Sequence, residues 1–132
     1  MKKTYDFLKE CIPFWVATVN GECAACRPFG GVVEYQGKIY IPSGNKKSVY
    51  NQIKNNPNIQ ITAIRQGTRD WIRVTAKAME ATSPEEKQAM FDACPVLYKR
   101  YSSPDDENFA LFKLENVNSV LNTEQGQIAL TD

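Results

Sequence analysis

Three stretches rich in aromatic and β-branched residues, at 14–19, 23–35 and 38–41, are separated by Asn20-Gly21 and Gln36-Gly37. Dipeptides of this kind accept positive φ and reverse an extended chain within two residues. The pattern predicts three consecutive strands in an antiparallel meander, and it steers the fold away from a doubly wound parallel sheet, which needs a helix between successive strands.

The rest of the chain extends that sheet. Ile59, Ile61 and Ala63 alternate with Gln60 and Thr62, and beyond a Gln66-Gly67-Thr68 turn Ile72, Val74, Ala76 and Ala78 alternate with Trp71, Arg73, Thr75 and Lys77. Each run reads as a half-buried strand with its apolar set facing the core. Residues 109–114 and 117–122 supply a final strand or two, and the polar tail from Thr123 is expected to be mobile. Helices fall between the strands. Residues 3–10, stopped by Pro13, offer Tyr5, Phe7 and Leu8 on one side, placed to cap a barrel end. Gly44-Asn45-Lys46-Lys47-Ser48 opens a second helix with Asn45 as its N-cap and Val49, Tyr50 and Ile53 on a shared side, and Asn55-Asn56-Pro57 stops it. Ser83-Pro84-Glu85-Glu86 is a capping box with proline at the first helical position, so a third helix runs from Pro84 to about Ala93; Pro95 interrupts it, with one more turn over 96–101. Without repeat or linker, 132 residues make a single domain, 1–132, mainly β with a few helices (α+β): a closed or nearly closed antiparallel barrel of six or seven strands.

Composition removes whole classes of chemistry. The chain has no histidine, which excludes Ser/His/Asp and Cys/His triads, histidine zinc or haem ligation, and the usual pH switch. Sixteen Lys and Arg against fifteen Asp and Glu leave a net charge of +1, so nothing drives bulk binding to nucleic acid or anionic lipid, and any basic site is local. No stretch approaches the roughly 20 apolar residues that span a bilayer, and the charged start has no apolar leader core, so a cytoplasmic protein without membrane partner is expected. The four cysteines then read as reduced thiols. Cys23 and Cys26 have the C-x-x-C spacing of redox and metal sites, but on a strand they point to opposite faces with Cα atoms roughly 10 Å apart. We therefore expect them to be structural, and no metal site is expected.

Chemistry is sought where the sequence breaks local rules. Lys46 and Lys47 stand at a helix opening, where the macrodipole already presents positive charge and acidic residues are preferred. With the backbone N–H groups of that terminus and the hydroxyls of Ser43 and Ser48 they form either a site for a phosphate dianion or a solvated lysine pair. In Arg27-Pro28-Phe29-Gly30-Gly31, proline and two glycines interrupt an apolar strand, which leaves bare backbone that could lie against a planar ring or simply turns a barrel corner. Trp71 on a polar face suits a ligand, a subunit contact or a surface aromatic.

In order and spacing, Phe14-Trp15-Val16-Ala17-Thr18-Val19-Asn20-Gly21, Arg27-Pro28-Phe29-Gly30, Gly37-Lys38-Ile39-Tyr40, Gly44-Asn45-Lys46-Lys47, Asn56-Pro57, Trp71-Ile72-Arg73-Val74 and Ala76-Lys77-Ala78 resemble the pyridoxamine 5′-phosphate oxidase-like FMN-binding split-barrel family, in particular its nitroimidazole-resistance branch. The resemblance covers roughly residues 14–80. It implies an antiparallel split β-barrel that forms a homodimer with FMN at the subunit interface. It further implies that Arg27, Lys46 and Lys47 hold the FMN phosphate beside Ser43 and Asn45, and that the backbone of Pro28 and Phe29 lies along the isoalloxazine, with Tyr40 and Ile41 on the neighbouring strand.

Departures from the family narrow the activity. Where the oxidases carry a lysine for the substrate phosphate this chain has Val32, and their substrate-side histidine has no counterpart, so oxidation of pyridoxamine phosphate is not expected. The expectation is a flavin-dependent oxidoreductase passing electrons from a nicotinamide donor to a small acceptor, nitroaromatics among the candidates. A non-catalytic flavin-binding stress or sensor protein is the alternative, and a barrel for single-stranded nucleic acid is disfavoured by the near-neutral charge. No catalytic proton donor is singled out.

Overall fold

Positive φ angles fix the first half of the sheet. The turn between β1 (Phe14–Asn20) and β2 (Cys23–Phe29) consists of Gly21-Glu22, one residue later than the sequence suggests, because Asn20 pairs with Cys23. Gly21 takes φ +62°, the glycine-first geometry of a type II′ turn. Between β3 (Val33–Tyr35) and β4 (Lys38–Gly44), Gln36 and Gly37 both have positive φ, as a type I′ turn demands. These elements belong to a computed structural model that describes residues 2–130.

The elements around them are α1 (Lys2–Glu10), α2 (Ser48–Asn55), β5 (Asn58–Ile64), β6 (Trp71–Ala81), α3 (Pro84–Ala93), a 3-10 turn over Pro95–Lys99, β7 (Phe109–Thr123) and β8 (Gly126–Leu130). One antiparallel sheet of eight strands runs β2-β1-β5-β6-β7-β4-β3, with β8 on β7. It is a split barrel and not a closed one, since β2 and β3 lie at opposite ends of that order. Eight strands replace the expected six or seven for two reasons. The stretch 23–35 breaks at Gly30-Gly31 into β2 and β3, and part of the polar tail pairs with β7 as β8 although that strand is nearly all exposed. β7 itself is continuous: it pairs with β4 through 109–113 and with β8 through 119–123. Between these halves Asn116, at φ +53°, marks a bulge against β6, where Thr75 pairs with Asn118 but Lys77 pairs with Glu115.

The alternating strands bury the faces their sequences single out. Ile59, Ile61 and Ala63, with Ile72, Val74, Ala76 and Ala78, join Phe14, Val16, Phe112 and Leu114 in the main core, which α1 closes with Phe7 and Leu8 and α2 with Val49 and Ile53. A second apolar cluster gathers Val33, Tyr40, Met90, Phe91, Leu97, Phe109 and Leu111 between β3, β4, β7, α3 and the 3-10 turn. Ser83 caps α3 by accepting from the Glu86 backbone N–H at 3.1 Å. Among the described residues no helix is long and apolar enough to cross a membrane.

Candidate functional site

A cleft of about 360 Å³ opens beside the β2–β3 break. One wall is the interrupted strand, Arg27-Pro28-Phe29-Gly30-Gly31; the second is Pro42 and Ser43 at the end of β4 with Lys47 and Val49 at the start of α2; the third is Cys94, Val96, Leu97, Arg100 and Tyr101 beyond α3. Gly31 lets these walls close on one another, because a Cβ there would lie 3.0 Å from Pro42 Cγ and 3.4 Å from Cys94 Sγ. Gly44 serves the same purpose: its Cβ would stand 2.8 Å from the Tyr101 hydroxyl.

Charge in the cleft has one sign. Arg27, Lys47 and Arg100 line it, and among the described residues no carboxylate does. The Arg27 guanidinium is half-buried, and its partners are neutral: Nη1 donates to Thr18 Oγ1 at 2.7 Å and to the Val16 carbonyl at 3.2 Å, and Nη2 donates to Gln52 Oε1 at 2.6 Å. Burial pushes its pKa below the ordinary value, opposed by the neighbouring Cys26. The charge has thus lost water without gaining a counter-ion, which is the condition under which an anionic ligand is attracted most strongly.

The helix opening differs from its sequence reading. Asn45 is not the N-cap: Gly44 to Lys47 form a turn closed by the Lys47 N–H on the Gly44 carbonyl at 3.1 Å, and the Asn45 amide donates to the Glu107 carbonyl at 2.6 Å. The turn holds Asn45 outside the helix, so the cap falls on Lys47, whose side chain cannot accept a hydrogen bond. The first N–H groups of α2 therefore lack a side-chain cap, and the cleft reaches them at Val49.

Of the sequence-derived set, Arg27, Pro28, Phe29, Ser43 and Lys47 converge on the cleft. Lys46 and Asn45 lie in the adjoining turn, with Lys46 helping to hold the Asp106 carboxyl below its usual range behind backbone hydrogen bonds from Asn108 and Ser102. Tyr40 and Ile41 stand outside it. Paired on both sides by β3 and β7, Tyr40 is 3% exposed and donates its hydroxyl to Glu86; burial, and then that bond, raise its pKa far above the ordinary tyrosine value, while Ile41 is fully buried. Strand β4 reaches the cleft one residue later, through Pro42 and Ser43. Trp71, the first residue of β6, is not among the residues that line the cleft, and the Arg73 guanidinium lies 4.9 Å from its ring centroid. Cys23 and Cys26 are exposed on β2, opposite Asn20 and Ala17. Sequence reasoning missed Cys94, Val96, Arg100 and Tyr101; the one signal for them was Pro95, which ends α3 and turns the chain back over the cleft.

No curated protein matches the chain significantly. Among solved structures, a NimC/NimA family protein from Clostridium acetobutylicum is 34% identical with a TM-score of 0.91, covering 98% of this chain and 93% of that one. General Stress Protein 26 from Bacillus anthracis shares the fold at 18% identity and a TM-score of 0.78, over 98% of this chain and 97% of its own. A pyridoxamine 5′-phosphate oxidase-related, FMN binding protein from Nostoc punctiforme does so at 16% and 0.63, over 90% and 86%. The family model described as pyridoxamine 5′-phosphate oxidase matches residues 1–120. Split barrel, interrupted strand and family match agree, and the chain belongs to the pyridoxamine 5′-phosphate oxidase family.

Proposed function

We propose that the protein binds FMN in this cleft and acts as a flavin-dependent oxidoreductase, taking electrons from a nicotinamide donor and giving them to a small acceptor. The observation that carries this reading is the half-buried Arg27, bonded to neutral acceptors in a cleft that, among the described residues, is lined by cations and no carboxylate. A phosphate suits Arg27, Lys47 and the uncapped start of α2, and the bare backbone at Gly30, where a Cβ would meet nothing within 4 Å, leaves room for a flat ring beside Pro28 and Phe29. The volume falls within the usual range for small-ligand pockets. FMN, when bound, would supply the electron transfer; the chain's part is to hold the phosphate, present backbone to the ring and exclude water with Val96, Leu97 and Tyr101. The Nostoc protein of this fold, named as FMN binding, supports the cofactor.

The outer face of β1 and β2 supports a homodimer. Trp15, Ala17 and Val19 lie opposite Pro28, Cys26 and Ala24, an uncharged surface on which Trp15 is 49% exposed, and Pro28 continues it into the cleft. A second copy seated there would close the rim.

Titration of FMN and riboflavin into wild type, Lys47→Ala and Lys46→Ala tests the assignment. Loss of Lys47 should weaken FMN by about 1–2 kcal/mol, one charge-assisted contact in a partly exposed site, and leave riboflavin unchanged, with a smaller effect at Lys46. Equal losses for both flavins would show that the lysines support the fold and not a phosphate. Bleaching of bound flavin by NAD(P)H separates an oxidoreductase from a passive carrier.

A further inference from the structure

The hydrogen bonds around Arg27 form a closed ring across three elements. Thr18 on β1 accepts from Nη1 at 2.7 Å and donates to Gln52 on α2 at 2.6 Å, and the same Gln52 oxygen accepts from Nη2 at 2.6 Å. Only one arrangement satisfies it. A guanidinium cannot accept, so the threonine lone pair must take the arginine proton, the threonine proton must go to Gln52, and Gln52 must turn its oxygen inward. Thr18 is 4% exposed, so its hydroxyl depends on these partners.

The ring also decides which edge of the guanidinium remains. Its two acceptors, 2.6 Å apart, sit on Nη1 and Nη2 and so occupy the end of the fork, while the Val16 carbonyl takes a further Nη1 proton. That leaves Nε–H and the second Nη2–H, the parallel pair along the side of the group that matches two oxygens of a phosphate. Every acceptor in the ring is neutral, so the positive charge survives.

We propose that Gln52, acting directly and through Thr18, is the positioning residue that aims the side edge of Arg27 at a phosphate and preserves the charge needed to hold it. The proposal rests on the phosphate assignment above and adds to it a residue outside the lining of the cleft. Glutamate at position 52 would have the same shape and would grip the fork more strongly, yet it would cancel the charge. A ring that served only to staple β1, β2 and α2 together would tolerate that exchange or gain from it.

The test is the ratio of riboflavin to FMN dissociation constants, measured by flavin fluorescence on the full chain together with the melting temperature. For Gln52→Glu the preference for FMN should fall on the order of tenfold to a hundredfold at unchanged riboflavin affinity, with the melting temperature held or raised. Gln52→Leu, which frees the fork but keeps the charge, should lose several-fold. Thr18→Val should do likewise, and Thr18→Ser should retain the wild-type ratio. A wild-type ratio in Gln52→Glu and Thr18→Val would overturn the proposal and leave the phosphate assignment standing. A wild type that does not distinguish FMN from riboflavin would overturn both.

Discussion

Gly44 is glycine because of an atom far away in sequence. Its φ is ordinary, and what forbids a side chain is the Tyr101 hydroxyl, 2.8 Å from where a Cβ would sit. Gly44→Ala should therefore destabilise the fold by about 1–2 kcal/mol through overpacking, and Tyr101→Phe should recover most of that loss. Denaturant unfolding of the two single variants and the double checks this, and strict additivity would show that the contact does not decide the cost. The pair also marks the limit of reading single residues. Lys47 stood out because a cation at a helix opening breaks a local preference, and Arg27 because proline and two glycines interrupt the strand beside it. Tyr101 and Arg100 break none; only the packing of the segment after Pro95 brings them to the cleft. Asn45 misled in the opposite direction: a good capping residue was drawn into a turn whose backbone bonds to Asn108.

At the scale of the element, the type I′ turn contains a residue poorly suited to it. Gln36 takes φ +50°, a region costly to most side chains. Gln36→Gly should stabilise by about 0.5–1 kcal/mol, read as a higher melting temperature with the β3–β4 register unchanged. Another element-level contact ties α2 to β6: Glu80 accepts from the Tyr50 hydroxyl at 2.8 Å and from Lys54 at 2.9 Å. Burial alone would raise its pKa, but these two bonds outweigh it and hold the carboxyl below its ordinary 4.5. A depressed carboxylate contributes stability that is complete above the unfolded value and disappears as pH falls through the folded one. The difference in melting temperature between wild type and Glu80→Gln should thus be constant near neutrality and shrink below about pH 4.5. Alternation made β5 and β6 legible because Ile59, Ile61 and Ala63 on one, and Ile72, Val74, Ala76 and Ala78 on the other, fall on every second position and are buried. Two features were harder to read. Proline and two glycines marked an interruption at residues 28–31, but not that it ends one strand and begins another, and β8 buries too little to leave a pattern, being a strand because β7 offers it an edge.

For the whole molecule, the uncharged outer face of β1 and β2 predicts association. Light scattering should find a dimer at micromolar concentration, and Trp15→Lys should yield folded monomers that hold FMN less tightly; a wild-type monomer with tight flavin binding would remove the interface from the argument. The cleft has a second relation to the whole. Phe29 and Val49 belong to the main core and Leu97 to the smaller cluster, so the cleft lies where two apolar clusters that share strands β4 and β7 meet. An occupant there would work as a rivet: loosening either cluster would first have to break its hold on the guest. Binding and cooperativity would then become one property, and the protein would be most nearly a single mechanical object when carrying something.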